Sequence, residues 1–135
     1  MNTTTPVPLK SLASLTVLVV EDEEMIRDAL MHNLTRFGIQ HFWVVGTVAE
    51  GRAIISHAMV NMVISDCDVN GENGKVFLDK VADTQPCAYR LLISGNPDNF
   101  QGVTLHKCLG KPFGSNDIKA HLEEALDQML WQEQR

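Results

Sequence analysis

"MVISDCDVNGENG", Met62 to Gly74, is the stretch whose reading decides the fold. It opens as an apolar run of strand length that does not alternate with polar residues, then delivers Asp66 and Asp68, then passes into residues that favour turns. A strand that is apolar at successive positions has both faces covered, as in a parallel sheet under helices. An aspartate closing such a strand is often only a turn former or a helix cap. Asp66 and Asp68 therefore take their meaning from the rest of the chain.

Outward from that stretch the pattern repeats. "TVLVV" (16–20), "HFWVV" (41–45), "NMVIS" (61–65), "YRLLIS" (89–94) and "HKCLG" (106–110) are strand-length, and the first, third and fourth are apolar on both faces. Between them lie helical periods. "EDEEMIRDALMHNLTRFG" puts Met25, Ile26, Ala29, Leu30, Leu34 and Phe37 on one face, with acids in its first turn and Gly38 at its stop. "TVAEGRAIISHA" opens with Thr47 and Glu50 at capping-box spacing. "GKVFLDKVADTQP" ends before Pro86, and the last helix turns Ile118, Leu122, Ala125, Leu126 and Met129 inward. The crossover from Gly95 to Leu105 holds Pro97, Gly102 and few apolar residues, so its helix is a stub. The pattern predicts an α/β fold, (βα)₅, doubly wound: a five-stranded parallel sheet with helices on both faces.

The 135 residues suit one domain, expected over 15–135 behind a disordered lead at 1–14. Eleven basic against seventeen acidic residues, with no basic block, exclude direct nucleic-acid binding. No apolar run approaches a membrane span, and the N-terminus has no secretory h-region. Cys67, Cys87 and Cys108 are odd in number and lack metal spacing, which predicts free thiols in a reducing cytoplasm. The five histidines show no ligand spacing either.

Ligands of open α/β sheets sit outside the carboxyl ends of the strands. Strand one ends in Glu21 and Asp22, strand three in Asp66, strand four in Ser94, and strand five in Gly110-Lys111-Pro112. Carboxylates gathered at one edge repel unless something positive lies among them. Mg²⁺ answers this, since it prefers carboxylate oxygens and keeps waters that a phosphate can displace. Lys111 adds a point charge for a phosphoryl oxygen and Ser94 a hydrogen bond. Asp66 is then a carboxylate able to attack phosphorus.

On the residues "VLVVEDEE", "VISDCDVNGENG", "LLISGN" and "GKPF", the chain resembles the receiver domains of two-component response regulators, the chemotaxis regulator among them, from about Leu15 to the last helix. The resemblance implies a flavodoxin-like sheet of order 2-1-3-4-5 and Asp66 as phosphoacceptor. It implies that Glu21, Asp22, Asp66 and the main-chain carbonyl of Asp68 surround Mg²⁺, that Ser94 and Lys111 hold the phosphoryl group, and that Lys111-Pro112 is cis. It also implies a sensor histidine kinase or a histidine phosphotransfer protein as donor, and admits a homodimer.

The chain departs from the family pattern at several points. Glu21 stands where an aspartate is commoner, Asn70 where a proline follows the acceptor, and Cys108 where an aromatic reports phosphorylation. The fourth helix is shortened. Two rival readings share the residues: a pseudo-receiver that binds partners without phosphorylation, and a haloacid-dehalogenase-like phosphatase suggested by "DCDVN". The latter enzymes carry their metal-binding acidic pair late in the chain, whereas here the pair comes first.

Overall fold

The computed structural model describes residues 11–96 and 107–133. A turn of 3₁₀ helix at Leu12–Ser14 leads into β1 (Thr16–Val20), α1 (Glu24–Arg36), β2 (His41–Val45), α2 (Val48–His57) and β3 (Met62–Asp66). A short ribbon, β4 (Asp68–Val69) and β5 (Glu72–Asn73), precedes α3 (Gly74–Thr84), β6 (Tyr89–Ser94), β7 (Lys107–Gly110) and α4 (Ser115–Glu133). The main sheet runs β2-β1-β3-β6-β7 with every pair parallel. With the ribbon set aside, this is the flavodoxin-like order 2-1-3-4-5. The expected stub over 95–105 falls largely outside the described residues.

Successive side chains of a strand point to opposite faces, so the central strands feed two cores. Val17, Val19, Met62, Ile64, Leu91 and Ile93 pack with Leu30 and Leu34 of α1 and with Ile118, Leu122 and Ala125 of α4. Leu18, Val20, Val63 and Leu92 pack on the other face with Val48 and Ile55 of α2 and Phe77, Leu78 and Val81 of α3. Full burial of such side chains stabilises by about 1.5–3 kcal/mol each. The edge strands β2 and β7 are only half covered, which is why their sequences are less uniformly apolar.

Helix ends follow local chemistry. Thr47 Oγ1 accepts the N–H of Glu50 at 3.1 Å, as the capping spacing predicts, and its hydroxyl donates to the Glu50 carboxylate at 2.9 Å. α1 is followed by Gly38 at φ +87°, in the left-handed region where glycine carries no Cβ penalty. On the apolar face of α1, Leu30 and Leu34 are buried, whereas Met25, at the solvent margin of that stripe, is 84% exposed. Before β1, Leu12 packs against the α1/α4 core. Among the described residues no helix is long and apolar enough to cross a membrane.

Candidate functional site

Four strands end at one edge of the sheet. Oxygens of Glu21, Asp22 and Asp66 lie within 4.8 Å of one another, although Glu21 and Asp22 follow β1 and Asp66 closes β3. The loop after β7 brings in Lys111, whose Nζ is 3.2 Å from Asp66 Oδ1 and 3.9 Å from Glu21 Oε2. The Lys111 main chain is fixed by donation to Ser94 O at 2.7 Å, and the Lys111-Pro112 bond is cis.

Ser94, at the end of β6, is buried. Its Oγ accepts from Asn96 N at 2.9 Å and from the Cys67 thiol at 3.6 Å. Both contacts use lone pairs, which leaves the hydroxyl hydrogen for another acceptor. Asp66 Oδ1 takes the Cys67 N–H at 2.9 Å as well as the lysine, while Oδ2 carries neither bond. Asp68 stands apart from the carboxylate group: it is exposed, and its Oδ1 accepts from Gly71 N at 2.9 Å.

Burial sets the electrostatics. Desolvation pushes the Glu21 carboxyl up to about 7, against the Glu23 N–H that its Oε1 accepts, and the nearby Asp66 charge adds to the rise. Desolvation also raises Asp66, opposed by the Lys111 ammonium. For Lys111, burial acts downward, but the bond to Asp66 and the charges of Glu21 and Asp66 outweigh it, so the ammonium is held. Glu21 Oε2 is buried with no hydrogen-bond partner. A hard divalent cation between the carboxylates would give that oxygen its missing partner and relieve the repulsion. The donor set therefore fits Mg²⁺.

Sequence reasoning missed three supports of this edge. Gly74, at the start of α3, donates its N–H to Cys67 O at 2.9 Å, and a Cβ there would lie 1.8 Å from Asp66 O. Only glycine lets α3 start against the main chain of Asp66; sequence has no signal for so close an approach. Arg27 Nη1 donates to the carbonyls of Glu21 at 3.0 Å and Asp22 at 2.8 Å, holding the acidic pair from below. Such an arginine reads in sequence as one more polar residue on a solvated helix face. The third support is the ribbon. Asn70 at φ +54° and Gly71 at φ +88° form its two-residue turn, and Asn70 N donates to Asp22 Oδ2 at 2.8 Å. Asn-Gly is a strong hairpin signal, but two-residue strands show no periodicity.

Beside the acidic group, Met25, Ile26, Ala29, Lys111, Pro112 and Phe113 line an apolar groove of about 460 Å³.

A family profile described as the response regulator receiver domain matches residues 17–123. The chain belongs to the response regulator receiver domain family. Receiver domains are signalling modules, and the sheet order and the four motifs now have one explanation. The hydrogenase transcriptional regulatory protein HoxA of Cupriavidus necator is 35% identical over 86 residues, which is 62% of this chain and 17% of that protein. The chain thus spans about a sixth of that relative. An uncharacterized protein from Neptuniibacter caesariensis superposes with TM-score 0.80 at 26% identity, covering 90% of this chain and 93% of that one. A CheY-like response regulator receiver domain protein from Methanospirillum hungatei gives 0.77 at 21%, covering 88% and 99%. Response regulator TrrA of Thermotoga maritima, solved in complex with Mg²⁺-BeF, gives 0.74 at 18%, covering 82% and 98%. These last two likenesses are of fold.

Proposed function

We propose that this receiver accepts a phosphoryl group on Asp66 from a phosphohistidine of a sensor histidine kinase or histidine phosphotransfer protein, and loses it by hydrolysis. The observation that carries the reading is the buried Oε2 of Glu21, which has no hydrogen-bond partner and lies 3.9 Å from Lys111 Nζ in a group of three carboxylates beside that ammonium. Glu21, Asp22, Asp66 and the main-chain carbonyl of Asp68 would hold Mg²⁺. When bound, the ion neutralises the carboxylates and the charge of the incoming phosphoryl oxygens.

A carboxylate oxygen of Asp66 forms the new bond to phosphorus as the P–N bond breaks and its electron pair leaves on the donor imidazole. Lys111, already at Asp66 Oδ1, shifts its ammonium to a phosphoryl oxygen. Ser94 donates its uncommitted hydroxyl hydrogen to another. Attack of water on phosphorus later returns the Asp66 carboxylate and releases phosphate.

The donor histidine has to reach Asp66, and the groove of Met25, Ile26, Pro112 and Phe113 is the apolar surface beside it. That groove is the docking face in this reading, and the exposure of Met25 suits it. We read the receiver as the domain of 15–135 and its three free thiols as suited to a reducing cytoplasm.

Incubation with a small phosphodonor and Mg²⁺, followed by intact-mass measurement, should show one added phosphoryl group that alkali removes. Asp66→Asn should lose it, and stoichiometric labelling of that variant would overturn the reading. Met25→Asp should slow transfer from a phosphorylated histidine protein and leave labelling by the small donor unchanged. Equal slowing with both donors would remove the groove from the account.

A further inference from the structure

Asn70 occupies a left-handed position, φ +54°, that proline with its fixed negative φ cannot adopt. Its N–H, which proline also lacks, reaches Asp22 Oδ2 at 2.8 Å across 48 residues of sequence. The turn that presents this N–H is anchored around it. Val69 is fully buried in the α2/α3 core. Asp68 Oδ1 accepts Gly71 N at 2.9 Å, and Asn73 Oδ1 caps α3 by accepting Lys75 N at 2.8 Å and Val76 N at 3.2 Å. The ribbon pairs Asp68 with Asn73 and Val69 with Glu72, so both ends of the turn are fixed. Asp22 has a second restraint: Arg27 holds its carbonyl at 2.8 Å.

We propose that Asn70 is a positioning residue for the cation, its main-chain N–H fixing the Asp22 carboxylate beside Glu21 and Asp66. The inference rests on the reading of Asp22 as a metal ligand. A carboxylate oriented by a fixed donor needs less reordering on binding, and partners of this kind, one bond behind the ligands, typically change metal affinity by about 10–100-fold. Asparagine at this position thereby links the loop after the acceptor to the acidic pair after β1. The tie comes from the main chain, and the side chain's part is to tolerate positive φ.

The test is Mg²⁺ titration of the full chain, followed by amide chemical shifts. Asn70→Pro should weaken Mg²⁺ binding about tenfold or more, while Asn70→Gly, which keeps the N–H and accepts the φ, should stay within about threefold of the parent. In an Asp22→Ala background, Asn70→Pro should cause no further loss. Parental affinity in Asn70→Pro, or additive losses in the double variant, would overturn the proposal. If Asn70→Pro does not fold, amide exchange decides. Asp22→Ala should speed exchange at Asn70 about tenfold and leave Gly74 unchanged. An unchanged Asn70 amide overturns the proposal. Parental Mg²⁺ affinity in Asp22→Ala itself would instead overturn the metal site on which it rests.

Discussion

Gln85 and Glu21 are both buried polar residues, at opposite edges of one sheet. Near the amino ends of the strands, Gln85 Nε2 donates to Ile55 O at 2.9 Å and Ala58 O at 2.7 Å, and its Oε1 accepts Val60 N at 2.8 Å. Neighbouring Asn61 accepts Thr16 N at 2.8 Å, and the Tyr89 hydroxyl donates to Glu124 at 2.6 Å beside His121 Nδ1 at 3.1 Å. At the carboxyl ends, Glu21 keeps an oxygen without a hydrogen-bond partner, and burial raises both Glu21 and Asp66. A buried polar group that is satisfied holds strands together, and one left unmet costs stability until something binds. One edge is closed by its own hydrogen bonds, and the other leaves a buried carboxylate oxygen without one.

Substitutions at the two edges should therefore move stability in opposite directions. The largest effect is expected at Gln85→Leu, which strands the Val60 N–H and two carbonyls and should destabilise by about 3 kcal/mol in urea unfolding. A loss under about 0.5 kcal/mol would break the contrast at its firmest point. Glu21→Gln, measured in chelator at pH 8, should stabilise by roughly 1–2 kcal/mol, because a neutral amide replaces a buried carboxylate, one oxygen of which has no hydrogen-bond partner, among like charges. Adding Mg²⁺ should reverse the order, raising the melting temperature of the parent more than that of the variant. Destabilisation by Glu21→Gln in chelator would show that its charge is already satisfied.

The smallest effect is a pH dependence at the amino edge. Burial lowers the His121 pKa from 6.5, with Glu124 and Asp117 opposing and Lys107 assisting. The unfolded chain then holds the proton more tightly than the folded one. Its contribution is present above about pH 6.5 and is lost as pH falls through the lower folded value. His121→Gln should flatten the fall in melting temperature between pH 6.5 and 5. An unaltered slope would place that pH dependence elsewhere.

How much of this was legible in the sequence differs between the edges. The strands and the residues Glu21, Asp22, Asp66, Ser94 and Lys111 could be read because unalternated apolar runs mark buried strands and their ends mark one edge of the sheet. Gln85 and Asn61 could not, since a polar residue near a helix stop or a strand start looks like any cap. Gly74 was equally hidden, because its role depends on the carbonyl of Asp66 lying against it in space. Met25 lies at the margin of the apolar stripe, where helical period fixes a face only to within a residue. Asn70 stands in sequence as a departure from proline, while the bond its main chain makes is to a residue 48 positions away.

The most direct test of the central contrast is a map of amide chemical shifts in the Mg²⁺-loaded chain with and without beryllofluoride, an analogue of the phosphoryl group. Large changes are predicted around Asp22, Asp66 to Gly74, Ser94 to Asn96 and Lys111, with Asn61, Gln85, Tyr89, Cys108 and α4 nearly still. Changes concentrated along Cys108, Tyr89 and α4, with Asp66 and Ser94 quiet, would contradict the assignment of the carboxyl edge as the site where the phosphoryl group is received.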